Sequence, residues 1–243
     1  MTAMFTHSSM ILLSDNPPLP LAGTYFITGT DTEVGKTTVT CELIRQLSQQ
    51  GKRCYAIKPV TAGTNALGLS EDAERINEFA SIKLPLTTTA PILLQTPCSP
   101  HIASHIDGVE LQAGTIIDQT YQTLKDHPAD CVLVEGAGGW FTPINAKEMC
   151  SETLAEVARG LEFPIILVVG LKLGCLNHAV LTLQAIWHSG AKVAMVVFNQ
   201  LNADIPFMTE QMDWLQDYVA LSLDKKNGCQ NDMPVFAFNP FLS

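Results

Sequence analysis

Gly29-Thr30-Asp31-Thr32-Glu33-Val34-Gly35-Lys36-Thr37-Thr38 stands directly after the apolar run Tyr25-Phe26-Ile27 and directly before a stretch with helical spacing. Strand, glycine-bearing loop and helix in that order make a cradle for phosphate, because loop amides and the helix N-terminus converge on the anion. Lys36 supplies a point charge, the Thr37 hydroxyl can reach a phosphate-bound magnesium ion, and Gly35 lets the backbone approach closely. Val39, Leu43 and Leu47, with Ile44 beside them, give the following helix its apolar face. Five residues separate Gly29 from Gly35 where the common pattern has four, so Thr30 takes the place of the first glycine.

The chain has 243 residues, 47% of them hydrophobic, enough for one α/β domain with a buried core. A net charge of −10 argues against nucleic acid as the main partner, since phosphate backbones recruit Lys and Arg. Local basic spots are expected to bind small anions instead. The seven cysteines are odd in number and include no CxxC pair, which fits reduced thiols and a cytoplasmic setting. The run Met10-Ile11-Leu12-Leu13 is too short for a membrane span and lacks the basic flank of a signal peptide, so no membrane partner is expected. Residues 1–23, with Pro17-Pro18-Leu19-Pro20, show no periodicity. They read as a dispensable N-terminal extension ahead of one domain over residues 24–243.

Apolar runs at residues 24–28, 54–60, 131–134, 164–169, 193–198 and 235–238 alternate with helical patterns. Their near-continuous apolarity predicts an α/β fold with a mostly parallel central sheet and helices on both faces. Thr153 and Glu156 form a predicted capping box for a helix carrying Leu154, Val157, Ala158 and Leu161 on one side. Asn177 is expected to precede a helix ending near Gly190.

Ligands of an open parallel sheet sit beyond the carboxyl ends of its strands, so the residues there carry the chemistry. Lys58, in Ile57-Lys58-Pro59-Val60, either faces a ligand or snorkels to solvent. Glu135 stands at the tip of Val132-Leu133-Val134-Glu135, ahead of Gly136-Ala137-Gly138-Gly139. An apolar strand with a terminal carboxylate resembles a Walker B element, which holds magnesium, here beside Thr37. Asp72 has a simpler reading as an acid in the first turn of a helix capped by Ser70. Asn199 either reads an adenine edge or begins a turn. Gly174-Cys175-Leu176-Asn177 is expected to be a loop leading into a helix N-terminus, a natural receptor for a carboxylate.

Taken together, GTDTEVGKT at residues 29–37, Lys58-Pro59-Val60, Ser99-Pro100-His101, VEGAGGW at 134–140 and VVGLKLGCLNH at 168–178 resemble the dethiobiotin synthetase family. The resemblance spans roughly residues 24–199. It implies a single-domain P-loop NTPase fold and an ATP- and magnesium-dependent cyclo-ligase of biotin biosynthesis. Diaminopelargonic acid takes up carbon dioxide as a carbamate, and ATP converts this to a carbamic-phosphoric anhydride. The second amine then closes the cyclic urea of dethiobiotin, releasing ADP and phosphate. A carbamate attacking a γ-phosphate needs both anions held in line, which lysines and magnesium can do.

The same resemblance implies magnesium at Thr37, Asp72 and Glu135, and catalytic roles for Lys58, Lys36 and Thr32. Glu33, Val34, Gly35, Lys36, Thr37 and Thr38 would wrap the nucleotide, with Asp72, Glu135, Gly136, Ala137 and Gly138 across from them. Asn199, Gln200, Pro234, Val235 and Phe236 would line the base pocket. Substrate contacts would fall to Thr61 and Ala62, and to Gly174, Cys175, Leu176 and Asn177 of the partner in a homodimer. Ala62 stands where the family has a hydroxyl, and Thr61 is the neighbouring one. Another P-loop small-molecule enzyme is the first alternative, disfavoured by only four arginines to line a lid. A nonenzymatic partition-type ATPase switch is the second, disfavoured because positions 30–34 hold no lysine.

Overall fold

The apolar runs assemble into a seven-stranded sheet in which every described pairing is parallel. A computed structural model describes residues 11–15, 17–146, 152–202, 204–227 and 235–238. In chain order come β1 (Ile11–Leu12), β2 (Gly23–Gly29), α1 (Lys36–Gln49), β3 (Cys54–Ile57), β4 (Val60–Ala62), α2 (Glu71–Phe79), α3 (Leu86–Thr89), β5 (Ile92–Leu94) and α4 (Pro100–Asp107). There follow α5 (Ala113–Asp126), β6 (Cys131–Gly139), α6 (Leu154–Leu161), β7 (Ile165–Leu171), α7 (Cys175–His188), β8 (Val193–Gln200), α8 (Met208–Asn227) and β9 (Val235–Phe238). The sheet order is β1-β9-β8-β7-β2-β6-β3, with helices on both faces. All of β7 is buried, as a central strand covered on two sides must be. Among the described residues no helix is long and apolar enough to cross a membrane.

The run expected over residues 54–60 is two strands. Pro59 has no N–H to continue the ladder, so β3 ends at Ile57 and β4 starts afresh, pairing with β5 in a separate two-stranded sheet. The break is held by Lys58 N donating to the Thr89 carbonyl at 2.7 Å and Ile92 N donating to the Pro59 carbonyl at 3.1 Å. Lys58 thus lies in the gap between two sheets. In register, Ile57 is paired with Val134, which puts Lys58 level with Glu135 at neighbouring strand ends.

Helix boundaries follow local chemistry. Thr153 Oγ1 accepts from Ala155 N while Glu156 accepts from Thr153 N, the predicted capping box. Ser70 Oγ accepts from Ala73 N at 3.2 Å and caps α2. The helix expected after Asn177 starts earlier, at Cys175, because Gly174 with φ 93° supplies the turn. Cys175, Leu176 and Asn177 are therefore its first turn and not a loop.

The N-terminal segment also differs from expectation. β1 pairs in parallel with β9, Ile11 opposite Phe236, and Leu13, Leu19 and Leu21 are core residues. Gln46 Nε2 donates to the Leu13 carbonyl at 2.5 Å, tying the segment to α1. β1, Leu13, Leu19 and Leu21 thus pack into the same core as the rest of the sheet. At about 2 kcal/mol for each buried leucine side chain, deleting residues 1–23 should remove several kcal/mol from a total of order ten. Urea unfolding of the truncated protein should show a clearly lower midpoint, and an unchanged midpoint would make the segment dispensable after all.

Candidate active site

The phosphate loop leaves β2 and turns into α1 through two left-handed residues, Glu33 with φ 58° and Gly35 with φ 80°. A Cβ at Gly35 would lie 2.1 Å from Asn199 Nδ2, which itself donates to the Val34 carbonyl at 2.9 Å. Asn199 lies inside β8, 2% exposed, and it braces the loop from behind. Gly35→Ala adds about 1–3 kcal/mol of backbone strain besides that clash. The ATP dissociation constant should rise about tenfold or more with the fold retained, and a value within twofold of wild type would show that the loop yields.

Lys36 is buried and its Nζ donates to the Asp31 carbonyl at 3.0 Å. Burial pushes its ammonium down to about 8, against the pull of Glu135. Thr37 and Thr38 follow in the first turn of α1.

Beside the loop, four elements bring their polar side chains to one point. Glu135, 0% exposed, accepts at Oε1 from Thr37 Oγ1 at 2.7 Å and at Oε2 from Thr40 Oγ1 at 2.7 Å. Lys58 Nζ lies 3.0 Å from Glu135 Oε1 and also bonds to Asp72 Oδ2. Burial pulls the Lys58 ammonium down, but the Glu135 and Asp72 carboxylates outweigh it and hold the group above its ordinary range. Asp72 is the counterpart: burial pushes its carboxyl up, and the Lys58 ammonium holds it below the usual range. A hydroxyl and two carboxylates form the hard oxygen set that magnesium takes, so Thr37, Asp72 and Glu135 suit that ion. Thr40 was missed, although it stands three residues after Thr37 on the same helix face.

The remaining expected residues divide among several places. Thr61 and Ala62 line a cavity of about 270 Å³ with Ser70 and Asp72. Thr32 lines a second cavity, of about 540 Å³, with Asp31, Trp140 and Leu181. Gly136 lies against the Phe26 ring, where a Cβ would come within 3.0 Å, and Ala137 continues β6. At Gly138, φ is 86° and a Cβ would fall 2.4 Å from Thr142 Oγ1, which accepts from Gly139 N at 2.8 Å. Gln200 closes β8 and its Nε2 donates to the Asn202 carbonyl at 2.8 Å. Val235 is half-buried, Phe236 is enclosed in the core at 1% exposure, and Pro234 lies outside the described residues. Cys175 is buried, with Sγ donating to Gln211 Oε1 at 3.2 Å, whereas Asn177 is exposed. Gly174, Cys175, Leu176 and Asn177 do not line the cavity at Thr61.

A further pair lies at the mouth of the loop. Lys172 Nζ, just past the end of β7, meets Asp31 Oδ2 at 2.9 Å, and Asp31 Oδ1 accepts from Thr32 N at 2.8 Å. The bond from Lys172 holds the Asp31 carboxyl below its usual range. Lys172 lies within the string at 168–178, and its place just beyond a strand end is the signal that marks it.

The sequence model of a family described as an AAA domain matches residues 23–229. Among solved structures, the chain is similar to the signal recognition particle receptor FtsY from Elizabethkingia anophelis. Identity there is 14%, over 88% of this chain and 59% of that one, with a TM-score of 0.43. The cell division protein FtsY from Thermotoga maritima matches at 13% identity over 92% and 63%, TM-score 0.43. A ParA family ATPase from Chlorobium tepidum matches at 12% over 88% and 83%, TM-score 0.44. The chain spans about three fifths of the length of the FtsY structures it matches.

Proposed function

The chain belongs to the AAA-domain family, a family of P-loop NTPases, and from that membership we propose that it is an ATP- and magnesium-dependent cyclo-ligase of the dethiobiotin synthetase type. The observation that carries this reading is Lys58. A phosphate loop already has its lysine in Lys36, and ATP binding alone needs no second one. Here a second buried ammonium is delivered by the break at Pro59, in contact with Asp72 and Glu135 and next to the cavity at Thr61. Such a charge suits a reaction in which an anion attacks the γ-phosphate, since it can hold both anions at once.

In this reading Lys36 and the amides of Glu33, Val34, Gly35, Thr37 and Thr38 hold the triphosphate. Lys58 lies between the carbamate and the γ-phosphate, and Thr32 assists from the loop. Magnesium, held by Thr37, Asp72 and Glu135, would neutralise charge on the phosphates. The carbamate end of the diamino acid would meet Thr61 and Ala62, where Ala62 supplies no hydrogen bond and Thr61 is the adjacent hydroxyl. The remote carboxylate of the diamino acid goes to the first turn of α7 in a homodimer partner. Gly174 caps that helix without a side-chain bond; Cys175 N donates to the Lys172 carbonyl at 3.0 Å, which leaves the Leu176 and Asn177 amides for an anion. The enzyme would act in the cytoplasm.

The test is ADP release by the full-length protein with ATP, magnesium and bicarbonate, with and without diaminopelargonic acid, followed by product mass. Diamine-dependent ADP with a cyclic urea product supports the ligase. Hydrolysis indifferent to the diamine would favour a nucleotide switch instead.

A further inference from the structure

We propose that Asp31 receives one ammonium of the substrate's vicinal diamine, and that Lys172 is the resident cation which this ammonium displaces. The inference rests on the cyclo-ligase reading and assigns a contact which that reading leaves open, namely what recognises the amines. Asp31 is fixed on its inner side and available on its outer one. Its carbonyl takes Lys36 Nζ at 3.0 Å and its Oδ1 takes the Thr32 amide at 2.8 Å, so backbone and carboxylate are both oriented. The remaining oxygen, Oδ2, meets the Lys172 ammonium at 2.9 Å, with the two side chains 46% and 39% exposed.

A substrate alkylammonium is the same chemical group as the one it would replace. A pair this exposed is worth about 0–1 kcal/mol, so exchange costs little and Lys172 has solvent to move into. The other acids at the loop are placed elsewhere: Glu33 does not line the cavity beside Asp31, Glu135 is fully buried with Thr37, Thr40 and Lys58 on it, and Asp72 is bonded to Lys58.

The space beside Asp31 suits the rest of such a molecule. Asp31 and Thr32 form a polar end of the cavity of about 540 Å³, and Trp140, Phe141, Leu181 and Ala185 supply apolar wall. Phe141 is 63% exposed and Leu181 57%, so both gain from covering by methylenes. An ammonium on Asp31 with an aliphatic chain along those side chains satisfies both kinds of surface. A phosphate or a simple carboxylate would meet repulsion at Asp31, so the carboxylate also selects for an amine.

Calorimetry of diaminopelargonic acid binding tests this, using the full-length protein with magnesium and a non-hydrolysable ATP analogue. Asp31→Asn should weaken diamine binding about tenfold or more while leaving analogue affinity within about threefold, and Asp31→Glu should recover part of the loss. Lys172→Gln should tighten diamine binding, because the competing cation is gone. Should Asp31→Asn fail to fold, the sign of the Lys172→Gln effect decides alone. Unchanged diamine affinity in Asp31→Asn, or weakened affinity in Lys172→Gln, overturns the assignment. If wild-type protein makes the cyclic urea while Asp31→Asn binds the diamine normally, this inference fails by itself. If wild-type protein binds no diamine, the cyclo-ligase reading falls and this inference with it.

Discussion

Lys58→Gln is expected to keep ATP binding and to lose about a thousandfold in turnover. Lys36 and the loop amides remain to hold the nucleotide, so affinity for ATP should change little. The glutamine amide carries no charge, however, and the lost ammonium is the one in contact with both Asp72 and Glu135. Its removal also leaves two carboxylates facing each other, one of them fully buried. Breaking a buried pair in that way costs about 3–5 kcal/mol, so the variant should melt at a lower temperature without magnesium and regain much of the loss with it. Turnover should therefore be measured per folded molecule, by product mass at saturating substrates. A rate within tenfold of wild type would remove Lys58 from the chemistry.

Glu135→Gln should have the second largest effect, a turnover loss of about a hundredfold or more. The amide is of nearly the same shape, so what changes is the charge and one acceptor that becomes a donor. Thr37 directs its hydroxyl at Glu135 Oε1 and Thr40 at Oε2, each at 2.7 Å, and whichever position the amide nitrogen takes loses one of these two bonds. The magnesium concentration giving half-maximal turnover should rise about tenfold to a hundredfold. An unchanged magnesium requirement would reduce Glu135 to a structural anchor for α1.

Much of this arrangement was legible in the sequence where a single residue type has a single physical use. A left-handed turn needs a residue such as Gly35, an apolar strand with an acid at its tip points to Glu135, and Thr153 with Glu156 makes a capping box. All six predicted strand positions correspond to strands: the second is divided, the third, fourth and fifth run further at their carboxyl ends, and the sixth has the expected bounds. What escaped depended on residues distant in sequence. The two-residue strand β1 has no periodicity to read, and its pairing with β9 comes from opposite ends of the described chain. The β4-β5 pair exists because Pro59 ends one ladder, a consequence visible once the break had been taken as structural. Asn199 was placed after its strand, and the choice between a base contact and a turn could not include its hold on Val34, 165 positions away. Lys172 and Asp31, 141 positions apart, met only through the order of β2 and β7.

That β1 pairs with β9 also orders events during synthesis. β2, β3, β6, β7 and β8 are all complete once Gln200 has been made, so the greater part of the sheet can assemble early. The strand that receives β1 spans Val235–Phe238, so residues 11–12 wait for a partner made long after them. Until then the edge of β8 is unpaired and Leu13, buried in the finished protein, has incomplete cover. An open strand edge invites pairing with another chain, and parallel sheets with long-range pairings close slowly. A nascent chain stalled between residues 200 and 235 is therefore the form most exposed to aggregation and to chaperone binding, although it already carries the whole phosphate loop.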